Sequence, residues 1–292
     1  MGKQEILHSV ARHLPWGLKP IASRLYRRGR NWAHPALKQF GTVQDLYYWV
    51  ADGNLDTLLL LQNYFSAFYP LLDTQTEGAI SLYSQGGTIQ GTKSFHLPHC
   101  GCAKFRVSSL LHDFGVSPDN TFGTLEVKIA IPNDVLEHVQ EQKSFYFWDR
   151  FYIGYTTAQG QTGFVHGVDK THIYREGKRD PAFWYNIRNE HEWAPETPVD
   201  IADYEKFSVI MINRTGRNNQ VTLVLSDTSD NFLSWAADIP SGGVHRFELT
   251  QENTAGLIPT ELRMRVKGMS TQYGRPIVFK EFPNGAISAM HC

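Results

Sequence analysis

The sequence predicts a mainly β protein made of two related antiparallel β-sandwiches in tandem, preceded by a short basic α-helical segment. Two observations support this fold class. Apolar residues alternate with charged ones in several short segments, among them residues 125–129, 221–225 and 262–266. This alternation is typical of strands in an antiparallel sheet that has one wet side. The second half of the chain also repeats the first, block by block.

The repeat consists of four blocks that occur in the same order in both halves. The matched positions are Asn63 with Asn213; Leu97, Pro98, Gly101 and Phe105 with Ile239, Pro240, Gly243 and Phe247; residues 125–129 with 262–266; and Gly160 and His166 with Gly285 and His291. The numbering offset between matched residues falls steadily along the chain. The first copy therefore has the longer loops, which is where binding sites tend to lie.

The repeat divides the chain into four parts. These are a basic helical N-terminal segment (1–52), a first β-sandwich (53–175), an aromatic-rich linker (176–200) and a second β-sandwich (201–292). Apolar residues at helical spacing predict helices over 4–14, 20–26 and 43–50. Asp134 and Glu137 have capping-box spacing and predict one further helix in the first copy.

The second copy has the general look of an immunoglobulin-like sandwich, and a jelly-roll-like arrangement is the alternative. Sandwiches of this kind host unrelated functions, so the resemblance implies a fold and no activity.

Charge and composition limit the kinds of partner and the cellular compartment that we expect for this chain. The 292 residues carry a net charge of −1, which does not favour nucleic acid as a partner. Residues 1–38 nevertheless hold eight Lys and Arg against Glu5. We expect this arm either to lie on the first sandwich or to dock on an anionic membrane surface. With three cysteines and no apolar leader segment, the chain is expected to be cytoplasmic, with peripheral contact at the inner membrane surface as the alternative.

Aromatic residues predict a binding surface at the junction of the two sandwiches. Residues 145–152 form an aromatic run in which period two places Tyr146, Trp148, Arg150 and Tyr152 on one face. Trp184, Tyr185 and Trp193 follow in the linker. Rings beside a guanidinium suit a glycan, a glycolipid intermediate or a protein partner. The opposing interpretation is a strand buried on both sides.

Histidines and a carboxylate at the same junction predict a metal site as the alternative function. His166, Asp169 and His172 are ligand types for a divalent ion such as iron or zinc, and His191 or His291 would complete the set. On a continuous strand His166 and His172 share a face, whereas Asp169 needs a turn at Gly167 to join them. The competing interpretation is hydrogen-bonded histidines at a domain boundary.

A second group of metal donors, His96, His99, Cys100 and Cys102, is compressed into seven residues. Its counterpart in the second copy has no donors, which favours a plain turn before a strand. The sequence has no nucleophile elbow, Walker loop or dinucleotide fingerprint. The leading hypothesis is therefore an accessory or binding protein, the alternative is a metal-dependent enzyme, and catalysis itself is left open. We expect function in the parts of the first copy that break the repeat: residues 132–152, 99–102 and the segment after His166.

Overall fold

The structure is a computed structural model that describes residues 40–116, 121–140, 151–166, 172–175, 197–213, 218–267 and 276–291. Within these ranges the chain is almost entirely antiparallel strand, arranged in four sheets. The predicted fold class, two tandem antiparallel β-sandwiches, is confirmed.

Sandwich 1 contains nine strands and three short helices among the described residues. They are β1 (Phe40–Val50), β2 (Leu55–Gln62), α1 (Tyr64–Phe68), β3 (Thr76–Ser84), β4 (Ile89–Leu97), β5 (Cys102–Arg106), α2 (Val107–Asp113), β6 (Phe122–Ala130), α3 (Asn133–Gln140), β7 (Tyr152–Thr157), β8 (Thr162–His166) and β9 (His172–Arg175). One sheet has the order β4-β3-β6-β1-β9 and the other the order β5-β2-β7-β8.

Sandwich 2 repeats this plan with eight strands. They are β10 (Thr197–Val199), β11 (Lys206–Ile212), β12 (Asn219–Ser226), β13 (Phe232–Ile239), β14 (Val244–Leu249), β15 (Leu262–Lys267), β16 (Ile277–Glu281) and β17 (Ile287–His291). The sheets are β13-β12-β15-β10 and β14-β11-β16-β17, so every strand takes the place of its counterpart in sandwich 1. Most connections cross between the two sheets, which matches the jelly-roll-like alternative.

Strand register confirms the duplication residue by residue. His166 pairs with Tyr152 in β7–β8, and His291 pairs with Ile277 at the same place in β16–β17. The intervening hairpins turn at Gly160 and Gly285, with φ values of 87° and 79°. Positive φ is the reason both turns carry glycine.

An asparagine at the end of β2 and of β11 forms matching hydrogen bonds to the following turn in both copies. The Asn63 side-chain NH2 donates to Pro98 O at 2.9 Å and to Leu97 O at 3.5 Å, and it also donates to Thr74 O at 2.7 Å. The Asn213 NH2 donates to Ile239 at 2.8 Å and Pro240 at 3.0 Å. We call this arrangement the asparagine clasp. It satisfies buried carbonyl groups where the turn leads into β5 or β14.

The backbone around each clasp is also equivalent. The N–H groups of Asn63 and Asn213 donate to Gly101 O and Gly243 O, each at 2.9 Å. The matched Asn, Pro and Gly of the sequence repeat are thus one structural motif that occurs twice.

The alternating residues build two cores. Leu125, Val127 and Ile129 are buried completely in sandwich 1, and Leu262, Met264 and Val266 are buried in sandwich 2. The core of sandwich 1 extends into residues of sandwich 2, among them Ile210, Ile277 and Phe279. The two units therefore share apolar packing.

The predicted helix over residues 43–50 is wrong, because these residues belong to β1. The run Tyr47-Tyr48-Trp49-Val50 is rich in residues that favour strands, and β1 pairs along its length with β6. Apolar residues fall on both faces of β1, so its sequence resembles a helical pattern. The hydrogen-bonded pairing with β6 makes this segment a strand. The predicted helix at Asp134 is confirmed as α3.

Strands at both predicted domain boundaries pair within the sandwiches. β1 precedes residue 53 and pairs with β6, while β10 precedes residue 201 and pairs with β15. The predicted helices over 4–14 and 20–26 lie outside the described residues. In the described part of the chain, no helix has the length and apolarity needed to cross a membrane.

Candidate functional site

Each sandwich has a sheet whose outer side, turned away from its own core, can meet something else. In sandwich 2 this sheet is β14-β11-β16-β17, and in sandwich 1 it is β5-β2-β7-β8. We call these sides the outer face of sandwich 2 and the outer face of sandwich 1. The repeat makes them equivalent, so their differences can be compared position by position.

The outer face of sandwich 2 is an internal interface. Its centre is aliphatic and aromatic and is buried against sandwich 1. The residues are Ile210, Ile212, Val244, Ile277, Phe279 and Ala289. Phe279 contacts Tyr155 and Tyr48 edge-on, with ring centroids 4.4 and 5.6 Å apart. This face therefore holds the two sandwiches together.

Polar contacts fix the register of that interface. Val244 N–H donates to Gln85 O at 3.0 Å, and the Thr124 hydroxyl donates to Gly242 O at 2.7 Å. Within sandwich 1, next to this interface, the Tyr155 hydroxyl donates to Tyr48 O at 2.9 Å. Burial raises the pKa of the Tyr155 hydroxyl well above its usual range, so it remains a donor.

A row of charges borders the interface on sandwich 2. Arg246 contacts Glu248 at 2.7 Å, and Lys206 contacts the same carboxylate at 2.9 Å. The Arg246 guanidinium also lies 4.9 Å from the centre of the Phe122 ring. The cavity beside Arg246 and Phe279 measures about 10 Å³, barely the space of one water molecule. Among the described residues, the junction is thus filled by protein.

The outer face of sandwich 1 carries the equivalent positions and is exposed. Tyr152 and Phe164 are exposed by 54% and 48%. Cross-strand pairing places two rows across the sheet. The first row is Lys104, Leu60, Tyr152 and His166, and the second is Arg106, Leu58, Gly154 and Phe164. At a strand spacing of about 4.8 Å, each row spans roughly 14 Å.

Gly154 provides the seat for the Phe164 ring. A Cβ at Gly154 would lie 2.7 Å from Phe164 Cε1 and 2.8 Å from Thr162 Cγ2. The position equivalent to Gly154 in sandwich 2 is Phe279, since each pairs at the matching step of its sheet. The large interface ring of sandwich 2 is thus replaced by a glycine in sandwich 1, and a neighbouring strand supplies an exposed ring instead.

A groove opens beside this face, between β4, β5 and α2. It has a volume of about 420 Å³ and is lined by Lys93, Lys104, Phe105, Arg106, Ser109, Leu110 and Asp113. Lys104 and Arg106 belong both to the groove and to the outer face of sandwich 1. Leu110 is buried and Phe105 half-buried, so the groove has an apolar floor and a cationic rim.

The predicted binding residues Tyr146, Trp148, Arg150, Trp184, Tyr185 and Trp193 lie outside the described residues. The face alternation predicted for their aromatic run can be checked only where β7 begins. There Phe151 is completely buried and Tyr152 is exposed. Tyr152, assigned to the same face as Tyr146 and Trp148, thus lies on the outer face of sandwich 1.

The predicted metal ligands are not brought together by the described structure. His166 lies on β8 and His172 on β9, which belong to different sheets, so the two histidines do not lie on one continuous strand. Each histidine pairs with a different strand: His166 pairs with Tyr152 and His172 with Gln44. His291 lies on β17 in sandwich 2, and Asp169 and His191 are outside the described ranges.

Donors near Cys100 make separate contacts. His96 Nδ1 lies 2.8 Å from Glu77 Oε1, whereas His99 Nδ1 lies 2.8 Å from Thr74 Oγ1. Cys100 and Cys102 are exposed thiols. No group of three metal donors occurs within the residues that the structure describes. The alternative interpretation, a turn before a strand, accounts for the segment, because Gly101 takes part in the asparagine clasp.

Sequence reasoning missed Phe164, Gly154, Lys104 and Arg106. Phe164 is a single ring among many, and Lys104 alternates with apolar neighbours as any wet strand would. The repeat contained the signal, because the alignment of Gly160 and His166 with Gly285 and His291 also aligns Phe164 with Ala289. An aromatic residue in one copy and an alanine in the other mark a position where the copies differ.

No known protein family and no curated protein matches the chain. Three solved structures show weak likeness. They are a tetra-tandem repeat in the extending region of a large adhesion protein, a Bacteroides uniformis β-glucuronidase and a β-glucuronidase from glycoside hydrolase family 2. Their sequence identities are 8%, 9% and 11%, and their TM-scores are 0.18, 0.19 and 0.18.

The likeness covers 86%, 87% and 86% of this chain but only 48%, 26% and 24% of those proteins. The chain thus spans less than half the length of each. At these TM-scores the likeness carries no argument, and the site must be judged on its own geometry.

Proposed function

We propose that the protein is a non-catalytic binding protein that recognises a saccharide through the outer face of sandwich 1. The observation that supports this is the contrast between the two equivalent faces. Where sandwich 2 has Ile277, Phe279 and Ala289, sandwich 1 has Tyr152, Gly154 and Phe164. A buried apolar surface corresponds to an exposed surface of separate rings.

The composition of this face suits a sugar. Rings such as Tyr152 and Phe164 can stack on the C–H face of a pyranose, and the tyrosine hydroxyl can hydrogen-bond to sugar hydroxyls. Lys104, Arg106 and His166 border the rings and offer further donors. An exposed apolar patch with a polar rim is typical of an interaction site. Because the junction is filled, we place binding on this face and not between the sandwiches.

The test is binding of the full chain to a glycan array, followed by Tyr152→Ala and Phe164→Ala. Both side chains are about half exposed, so we expect little loss of stability and at least a tenfold loss of binding, the size of a stacking contact of about 1.4 kcal/mol. Phe232→Ala is the matched control, since Phe232 is 68% exposed on sandwich 2.

Retained binding by both variants, or binding to none of the glycans, would contradict the proposal. Recovery of a protein that depends on Tyr152 and Phe164, with no glycan bound, would assign the face to a protein partner. A metal-dependent enzyme remains the alternative from sequence, and no contact among the described residues favours it.

A further inference from the structure

The groove next to the outer face of sandwich 1 has an excess of positive charge. Lys93, Lys104 and Arg106 line it, against the carboxylate of Asp113. All four residues lie at the edge of sandwich 1 where β4 and β5, the edge strands of its two sheets, meet α2. The volume of about 420 Å³ falls in the range of small-ligand sites.

Internal ion pairs leave most of this charge available. Lys93 Nζ lies 3.4 Å from Asp113 Oδ2, and about half of each side chain is exposed. An exposed pair at that distance is weak and exchanges readily with a ligand. Within the described part of the chain, the Lys104 side chain makes no ion pair or hydrogen bond, and it is exposed.

Among the residues that the structure describes, the Arg106 guanidinium has one hydrogen-bond partner, the Asp56 carboxylate. Its Nη1 lies 3.4 Å from Asp56 Oδ2. That carboxylate also accepts from the Ser108 hydroxyl at 2.7 Å and the Ser108 N–H at 3.1 Å. A guanidinium carries several N–H donors, so Arg106 can bind a carboxylate or sulfate through two parallel hydrogen bonds in addition to its contact with Asp56.

The two rows of the outer face connect this charge to the exposed rings. Lys104 is two strands from Tyr152, with Leu60 between them, and Arg106 is two strands from Gly154, with Leu58 between them. A ligand stacked on Tyr152 and Phe164 can therefore place an acidic substituent at Lys104 and Arg106.

We propose that the saccharide bound by this protein is anionic, and that the groove binds its carboxylate or sulfate through Lys104 and Arg106, with Lys93 released from Asp113. This inference rests on the proposed saccharide binding and names the class of the ligand. No bond is made or broken in the step.

The experiment compares uronate-, sialate- and sulfate-bearing chains with their neutral counterparts on one glycan array. We expect the full chain to retain anionic members about tenfold better than neutral ones, with the preference falling as NaCl rises from about 50 to 500 mM, because exposed charges are screened. Lys104→Gln and Arg106→Gln should lower the retention of anionic chains to that of the same variant's neutral chains. Lys267→Gln, an exposed lysine of sandwich 2, is the control.

Equal retention of anionic and neutral chains would overturn this inference while leaving the proposed function intact, provided that Tyr152→Ala still abolishes binding. An anionic preference that survives both Lys104→Gln and Arg106→Gln would also overturn it. Absence of binding to any glycan would reject both proposals, and circular dichroism of each variant separates this from misfolding.

Discussion

At the residue scale, the most informative side chain is the asparagine of the clasp. Asn63 is 5% exposed and Asn213 is fully buried, although asparagine is usually a surface residue. Both donate through the side-chain NH2 to carbonyl groups of the turn before the next strand. The sequence repeat identified these residues as matched, but it could not show what they do, because the hydrogen bonds join positions more than twenty residues apart.

Replacing either clasp asparagine is expected to be costly. Asn63→Ala or Asn213→Ala removes two donors and leaves buried carbonyl oxygens without partners, so we expect a loss of about 2–4 kcal/mol in the free energy of unfolding. Urea denaturation followed by fluorescence measures the change. Asn54→Ala, in an exposed turn, should cost less than about 0.5 kcal/mol. Similar losses for Asn54 and Asn213 would show that the clasp does not stabilise the fold.

At the element scale, the strands were predictable and their partners were only partly so. Alternation correctly indicated β6, β12 and β15, because one apolar and one wet face impose period two. β1 was predicted as a helix because it is buried on both faces, which hides its period. The outer face of sandwich 1 could not be predicted from any one strand. Its residues come from β2, β5, β7 and β8, and only the pairing brings them together.

The strand β7 contains a residue whose substitution tests the position of the Phe164 ring. Gly154→Ala would place a methyl group against the Phe164 ring and displace that ring from its seat. Since the displaced ring is exposed, we expect a stability change below about 1 kcal/mol and a several-fold loss of saccharide affinity. Calorimetric titration and thermal unfolding measure the two effects. If Gly154→Ala binds the saccharide with the affinity of the wild type, the position of Phe164 is unimportant for binding.

At the scale of the whole molecule, the two sandwiches share one apolar core across the interface. Tyr48, Tyr155 and Phe279 lie at its centre, and the arrangement could not be predicted from sequence. The sequence marked the junction as a binding site because of aromatic residues that the described structure does not include. Aromatic content alone does not distinguish a ring that binds a ligand from one that seals an interface.

Buried tyrosines make this interface sensitive to alkaline pH. Burial raises the pKa of Tyr48, and the positive charge of Arg246 opposes this shift. Burial also raises the pKa of Tyr155, and the nearby Tyr48 raises it further. Unfolded tyrosines lose their proton above pH 10 while these two keep it. The unfolded state then binds fewer protons, so stability is complete below pH 10 and falls as pH rises.

Tyr155→Phe separates this effect from general alkaline denaturation. At pH 7 the variant should be about 1 kcal/mol less stable than the wild type, because it lacks the hydrogen bond to Tyr48 O. Above pH 10 its free energy of unfolding should fall less steeply than that of the wild type, and the two slopes should differ by up to about 1.4 kcal/mol per pH unit. Denaturation between pH 7 and 11 measures both. Tyr152→Phe, with an exposed hydroxyl, is the control, and identical slopes for wild type and Tyr155→Phe would refute the argument.

The unequal outer faces have a consequence for any protein built by copying one unit. Among the described residues, one of the two equivalent faces forms an interface, and the other leaves Tyr152 and Phe164 exposed. Apolar residues such as those of sandwich 2 would make an exposed face prone to aggregation, and sandwich 1 instead has tyrosine, glycine and lysine there. After duplication, the face of sandwich 2 is needed for the contact between the sandwiches, whereas the equivalent face of sandwich 1 is not. The residues of that face can therefore change to bind a ligand.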